Sequence, residues 1–583
     1  MSRRIIKSLP DMKLARKRTE KPRLIREDVV VPESVRQYGK GRFYHIHTFG
    51  CQANVRDEEI MGGYLELAGM KRALDESQAD LVIINTCAVR ENAEEKVYGE
   101  IGKFKARHQA DPEHFVLCVC GCMMQEENVA KQITASYPYV NIVFGTHNVH
   151  NLLNLLAEHL ERKKDLVDVI SYSGDIVENL PSSRLDSMKA YVNIMYGCDK
   201  FCTYCIVPYT RGRERSRPLE DILKECKELV ESGYQEITLL GQNVNSYGKD
   251  FHDGTNFATV LEAVAKLGIP RLRFMTSHPW DFSDDMLDVI AKYDNIMKCI
   301  HLPVQSGSSE VLRSMGRRYT RESYLALVSK IRERIPGCAL TTDIIVGFPN
   351  ETAEQFEETL TLAEEVNYDA AFTFIYSPRK GTPAAAIADN VTDKEKHERF
   401  DRLIKVIEAS VMSHSAQMVG HVYDVLVDGP SKKDPNMLSG YTEKSKLVHF
   451  PGPSYLKGCI VPVKINEDHA FSMKGELVGD PILLLAERLS SLLKQEDEAK
   501  AYFEAKKALD EDPSYPKMRN RVEEAQKTMV QKAAEKDDEG YQKAKKDYLE
   551  AKKALDEHPL YRNYASACEE LAPLLAQISE EIS

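Results

Sequence analysis

Apolar positions along the chain alternate between short continuous runs and stretches of helical spacing, and the alternation divides it into six segments. In 42–160, runs at 43–48, 81–85, 115–120 and 140–144 are separated by amphipathic helical stretches, which predicts a small α/β domain on a parallel sheet. Segment 186–418 repeats the strand-then-helix pattern, with strands at 191–195, 236–240, 271–276, 300–304, 340–346 and 371–375. Six such strands imply a whole or partial α/β barrel with its function in the loops at the strands' C-terminal ends. A helix at 392–418 leads out of it. Segment 419–486 is rich in Val, Gly and Pro with short alternating runs, and predicts a small β-barrel. Segment 490–583 is almost wholly helical and holds a repeat: the eight residues from Glu504 to Glu511 recur identically from Glu550 to Glu557, each copy followed by proline (Pro513, Pro559). The remaining parts are 1–41, which reads as a basic flexible tail, and 161–185, a polar linker. The fold class is α/β multidomain with a helical module at its end.

Composition narrows the classes. A chain of 583 residues is too long for one core, and 43% apolar with 29% charged residues is ordinary for a soluble protein. The apolar stretches 115–124 and 481–486 are too short to span a membrane. The N-terminus is basic (Arg3, Arg4, Lys7, Lys13, Arg16, Lys17, Arg18), but no apolar run follows it as in a secretory signal, so a cytoplasmic location is expected. A net charge of −12 argues at first against a nucleic-acid partner. Charge is uneven, however, and screening limits its reach to about 8–10 Å, so a local basic patch on an acidic protein can still hold phosphates. Thirteen cysteines without an export signal point to metal ligands rather than disulfides.

The strongest chemical signal is Cys198, Cys202 and Cys205, spaced CxxxCxxC directly after the first barrel strand. Three thiolates in this spacing hold three irons of a [4Fe–4S] cluster and leave the fourth open. An open iron can chelate S-adenosylmethionine (SAM) and pass it an electron, releasing a 5′-deoxyadenosyl radical. A structural zinc site would need a fourth Cys or His, and none lies near this loop in sequence.

The run 196–217 (YGCDKFCTYCIVPYTRGRERSR) resembles the MiaB family of tRNA methylthiotransferases, and the resemblance extends over roughly 42–486. It implies an N-terminal methylthiotransferase domain, a radical-SAM core and a tRNA-binding TRAM domain. It also implies a second [4Fe–4S] cluster on Cys51 (in TFGCQAN), Cys87 (in NTCAVR) and Cys122 (in GCMMQ), each following a predicted strand. Cys118 and Cys120 fall inside a strand as packing residues, Cys120 being the rival ligand; Cys226, Cys299, Cys338, Cys459 and Cys568 are isolated. In the implied reaction the auxiliary cluster holds the sulfur, one SAM donates the methyl group and another the radical. No catalytic side chain is expected beyond the cluster ligands. The product would be methylthiolated at C2 of an N6-isopentenyladenosine next to the anticodon, with threonylcarbamoyladenosine as the alternative substrate. Residues 374–379 (FIYSPR) and 381–384 (GTPA) favour the first. An electron donor of flavodoxin or ferredoxin type is implied as well.

Barrel position suggests SAM contacts at Gly241, Gln242 and Asn243 after the second strand, Gln305, Ser306 and Ser308 after the fourth, and Asp343, Gly347 and Glu351 around the fifth. Arg211, Arg213, Arg215 and Arg217 follow the cluster loop at alternating positions. With Arg317, Arg318, Lys432 and Lys433 they are the expected RNA contacts, and Lys444 and Lys446 are further candidates. The helical end resembles the YlbF/YmcA-type module and is expected to dock a protein partner or a second copy. From another class, an iron–sulfur RNA-binding scaffold is the alternative, and a zinc module the third choice.

Overall fold

Strands that are apolar at every position, rather than at alternate ones, belong inside a sheet covered on both faces, and this is where the chain puts them. The computed structural model describes residues 4–15, 22–26, 28–88, 91–172, 175–469, 472–494 and 496–582. Leu81–Thr86 and Val116–Gly121 are buried throughout and lie near the middle of a parallel seven-stranded sheet. Its order is Arg4–Ser8, Asp165–Asp168, Ile142–Phe144, Val116–Gly121, Leu81–Thr86, Phe43–Thr48, Lys71–Arg72. On one face Gln52–Leu67 and Leu152–Arg162 pack through Ile60, Met61, Leu65 and Leu156. On the other, Glu91–Lys103 and Glu127–Ser136 pack through Val97, Ile101 and Ile133.

Two segments differ from expectation. Within 1–41 the residues Arg3, Arg16, Lys17 and Arg18 lie outside the described ones, but the rest is no loose tail. Arg4–Ser8 pairs with Asp165–Asp168, Arg23–Ile25 pairs with Asp175–Val177, and Glu33–Gly39 is helical. The strands Asp165–Asp168 and Asp175–Val177 also fall in the expected linker, of which 173–174 lie outside the described residues. The reason is register at long range. A basic segment with only Ile5 and Ile6 as apolar signal becomes a strand because a distant edge offers unpaired backbone. The Arg4 guanidinium then reaches the carbonyl oxygens of Thr134 (2.5 Å) and Val140 (2.6 Å).

In 186–418, Lys189–Asn193, Glu236–Leu240 and Arg271–Phe274 form one parallel sheet, and Cys299–His301, Ala339–Val346 and Ala370–Ile375 another. A single bridge, Leu272 to Ile296, links the first sheet toward the second, giving an open α/β barrel with one continuous apolar core. The helix Asp393–Met418 leaves it, capped by Thr392, whose hydroxyl accepts the Glu395 N–H. Next come Val422–Pro430, Met437–Thr442, Leu447–Pro451, Ile460–His469 and Ser472–Leu477, which close into a five-stranded barrel. Buried Arg271 donates to the Tyr441 (2.7 Å) and Asp424 (2.6 Å) carbonyls and seats this barrel on the larger one. Lys446 does the same through the Asp369 carbonyl at 2.9 Å, so it faces protein and not phosphate.

Gly479–Ser583 is a separate compact unit of five helices, Pro481–Leu493, Asp497–Asp510, Tyr515–Ala534, Asp538–Asp556 and Pro559–Ile582. The repeat closes the second and fourth, and its equivalent leucines, Leu509 and Leu555, are both buried. Among the described residues no helix is long and apolar enough to cross a membrane.

The strand at Arg4–Ser8 makes a checkable demand. Arg4→Met strands two carbonyl acceptors and should cost about 1–3 kcal/mol, read as a lower urea midpoint of the N-terminal unit. A free basic tail would leave that midpoint unchanged.

Candidate functional site

Cys198, Cys202 and Cys205 stand on a loop that the chain ties shut. Met195–Tyr196 pairs antiparallel with Arg215–Ser216, and the Cys198 N–H donates to the Gly212 carbonyl at 3.1 Å. Gly197 turns the chain at φ +73°, and a side chain there would meet the Arg213 carbonyl oxygen 2.1 Å away. Gln242 holds the Gly197 N–H with its Oε1 at 2.5 Å. Inside the loop, Asp199 accepts two bonds from Arg213 (2.6 and 3.1 Å). Burial pushes the Cys205 thiol up to about 12 and the Cys198 thiol higher than usual, so metal must displace protons to bind here.

The second triad sits at three neighbouring strand ends. Cys51 caps Gln52–Leu67 after Phe43–Thr48, Cys87 follows Leu81–Thr86, and Cys122 follows Val116–Gly121. Cys87 Sγ lies 2.6 Å from where a Gly50 side chain would begin, which is why the residue before Cys51 is glycine. Asn54 is the hub: its Nδ2 donates to the carbonyls of Phe49 (2.8 Å) and Thr86 (2.9 Å), and its Oδ1 lies 3.8 Å from Cys122 Sγ. Cys120 points elsewhere, against Met61 at 3.8 Å, because strand alternation places it with Cys118 in the helix-facing core. Cys122 and Ala88 pack instead against Ile206 and Tyr209, just past Cys205. The two triads therefore flank one small apolar contact.

Donor spacing separates cluster from single ion. Among the described residues His47, Glu76 and Glu100 bring three donor atoms within 4.8 Å of one another, and neither cysteine triad is that tight. Thiolates around one zinc, at about 2.3 Å each, need roughly 3.8 Å between sulfurs. Three thiols set wider apart than that suit a cluster of several irons better than a single ion.

The expected SAM contacts divide. Asn243 is buried and bonds Ser246 and Asp281 through Nδ2, with its Oδ1 unpartnered. Ser308 is buried with its Oγ likewise unpartnered. Gln305 adopts φ +70° and bridges to Ile344, and Asp343 lies 3.5 Å from His301. The others serve the scaffold. Gly241 leaves room for Met195, Ser306 caps the Ser308 N–H, and Glu351 accepts the Gly347 N–H (2.8 Å) and Arg399 (3.0 Å).

Four of the expected RNA contacts, Arg211, Arg215, Arg217 and Arg317, are buried against the protein's own groups, which departs from the sequence expectation for those four. Arg217 is held by Glu178 (2.6 Å), Glu225 (2.8 Å) and the Asn193 carbonyl. Arg215 lies over the Tyr196 ring, Arg213 closes the loop, and Arg211 bonds Asn54 and Asp57. Arg317 reaches the Pro303 carbonyl (2.6 Å) and Cys202 Sγ (3.8 Å). Alternating arginines in a loop look alike in sequence whether they face phosphate or carboxylate; Asp57, which claims Arg211, and Glu178, which claims Arg217, come from outside the loop. Arg318 remains exposed, 4.7 Å from the Trp280 ring, as do Lys432 and Lys433. The roles of Asn54, Asp57 and Arg317 at the cysteines were not foreseen, although Asn54 sits one helical turn from Cys51.

Similarity to known proteins follows the same division. The chain matches the Radical SAM superfamily at 192–363, Uncharacterized protein family UPF0004 at 43–145, the TRAM domain at 416–478, and Control of competence regulator ComK, YlbF/YmcA, at 482–583. It is 52% identical over 474 residues to the tRNA-2-methylthio-N(6)-dimethylallyladenosine synthase of Anoxybacillus flavithermus, covering 81% of this chain and 90% of that one. The protein of the same name from Bacillus subtilis is also 52% identical over 474 residues, covering 81% and 93%. Among solved structures, the radical S-adenosylmethionine methyltransferase TsrM from Kitasatospora setae aligns at TM-score 0.43 and 15% identity, over 59% of this chain and 75% of that one.

The tied loop predicts that Gly197→Ala lowers the iron that Cys198, Cys202 and Cys205 take up on reconstitution. The added methyl meets backbone in a left-handed conformation and has nowhere to go. Iron analysis after anaerobic reconstitution should show loss of that cluster alone; full iron content would mean the loop yields freely.

Proposed function

The chain belongs to the tRNA-2-methylthio-N(6)-dimethylallyladenosine synthase family, and from that membership we propose that it adds a methylthio group to C2 of an isopentenylated adenosine beside the anticodon of tRNA. One observation carries the reading: two cysteine triads flank one small apolar cluster that includes Ala88, Cys122, Ile206 and Tyr209. When bound, a [4Fe–4S] cluster and SAM at Cys198, Cys202 and Cys205 supply the radical, a second SAM supplies the methyl group, and a cluster at Cys51, Cys87 and Cys122 carries the sulfur.

The chain's own groups do the rest. Gln242 fixes the turn at Gly197 and with it the bearing of Cys198. Arg317, buried beside Cys202, sets a cation against the thiolates. The unpartnered Asn243 Oδ1 and Ser308 Oγ offer hydrogen bonds to the polar groups of SAM. Ile206, Tyr209 and Ala88 keep water from the space between the triads. Arg318 on Trp280, with Lys432 and Lys433 on the small barrel, would grip the tRNA backbone. A cytoplasmic setting and a flavodoxin- or ferredoxin-type reductant fit a reaction that consumes electrons.

Separate roles for the triads predict separable losses. Alanine at Cys198, Cys202 or Cys205 should abolish 5′-deoxyadenosine formation, whereas Cys122→Ala should spare it and stop methylthiolation. Chromatographic assay of 5′-deoxyadenosine beside nucleoside mass spectrometry of the tRNA checks both. Methylthiolated tRNA from Cys122→Ala would remove that residue from sulfur delivery.

Every residue assigned here lies in the unit ending at Val478. The terminal helical unit exposes Phe503 (47%), Val530 (59%) and Leu549 (53%) and is acidic, which suits a protein contact better than RNA. A chain ending at Val478 should keep methylthiolation near the full-length level in vitro. A folded, iron-loaded truncation that no longer binds tRNA would make the helical unit part of the substrate site.

A further inference from the structure

Arg211 belongs by sequence to the radical loop and by position to the other triad. Arg211 is 8% exposed, and its guanidinium donates to Asn54 Oδ1 (2.6 Å) and Asp57 Oδ2 (2.7 Å). Asn54 Oδ1 is the same atom that lies 3.8 Å from Cys122 Sγ, so one amide oxygen touches both the arginine and a cluster ligand. Asn54 and Asp57 sit on the helix that Cys51 caps, and the Asn54 amide also ties down the residues before Cys51 and Cys87 through Phe49 and Thr86. On its other side, Arg211 is followed by Gly212, whose carbonyl receives the Cys198 N–H. Two consecutive residues thus hold both cysteine sites.

A buried cation joined to a carboxylate, one amide oxygen away from a cysteine of the triad, has a directional electrostatic effect, which a bond that only fastens two domains lacks. Removing the cation makes the neighbouring site more negative, and removing the carboxylate makes it more positive. We propose that Arg211 is a positioning residue for the sulfur-bearing cluster, setting its electron affinity and holding it opposite the radical loop, with Asp57 as the counter-charge that limits the effect. The proposal rests on the assignment of a cluster to Cys51, Cys87 and Cys122.

The test uses the full-length chain with Cys198, Cys202 and Cys205 all changed to Ala, reconstituted anaerobically so that only the second triad can hold iron. The readouts are iron content and the cluster's reduction midpoint, followed by electron paramagnetic resonance. Arg211→Met should shift the midpoint to more negative potential, Asp57→Asn should shift it to more positive potential, and Arg211→Lys should stay near the parent. If Arg211→Met loses its iron, the positive shift of Asp57→Asn carries the test. Midpoints that stay put with iron retained, or that move in the same direction for both charges, would overturn the role of Arg211 while leaving the cluster in place. A triple-alanine parent that takes up no iron overturns the cluster assignment itself, and this proposal with it.

Discussion

Everything at the centre of this protein depends on one strap of backbone, the loop from Gly197 to Glu214, being held shut. Two ladder pairs, Met195 with Ser216 and Tyr196 with Arg215, fasten its ends, and the Cys198 N–H bond to Gly212 adds a third tie just inside them. Because the loop cannot splay, Cys198, Cys202 and Cys205 keep a common bearing, and Ile206, Tyr209 and Arg211 are delivered to Cys122 and Asn54. A loop of this length left free would lose that alignment to conformational entropy, at about 1–2 kcal/mol per residue.

Beneath the strap lies a buried network of opposite charges. Arg56 and Glu59 on Gln52–Leu67, Arg184 and Glu178 from the connecting segment, and Arg217 with Glu225 from the barrel meet in one cluster. Burial alone would raise the Glu225 carboxyl, but Arg217, Arg56 and Arg184 hold it down to about 2. Such a network adds little net stability over an apolar contact, and breaking one member is costly. Its value here is specificity. The pairs of Arg56 and Arg184 with Glu225 tie the helix behind Cys51 and the connecting segment to the barrel, in the same arrangement that sets Cys122 against Ile206 and Tyr209.

The terminal helices follow a different logic. Their repeated octapeptide buries Leu509 and Leu555 at equivalent positions, so the duplication is structural and not merely compositional. The buried apolar set of this unit among the described residues is small, chiefly alanines and leucines, and larger side chains such as Phe503 and Leu549 stay exposed. Helices of this kind are stable mainly through their hairpin contacts, and they leave apolar side chains exposed.

How much was legible beforehand depended on the range of the interaction. Local periodicity was enough for the strands Phe43–Thr48 and Glu236–Leu240, for the helix Asp393–Met418, and for the closed barrel after it, because each pattern is complete within a few residues. Ligand spacing marked the radical triad, since CxxxCxxC is itself a local geometry. The other triad could be named only by resemblance, because Cys51, Cys87 and Cys122 become neighbours when three strands align in register. The partners of the charged groups were out of reach altogether. Arg4 became part of a sheet edge, and Arg211 and Arg217 turned inward, because the groups that satisfy them lie far away in sequence. Sequence alone determined the elements whose pattern is locally complete and the CxxxCxxC thiols; the tertiary structure decided the rest, from the paired strand at Arg4–Ser8 to which cations face solvent, since burial and pairing are properties of the assembled chain.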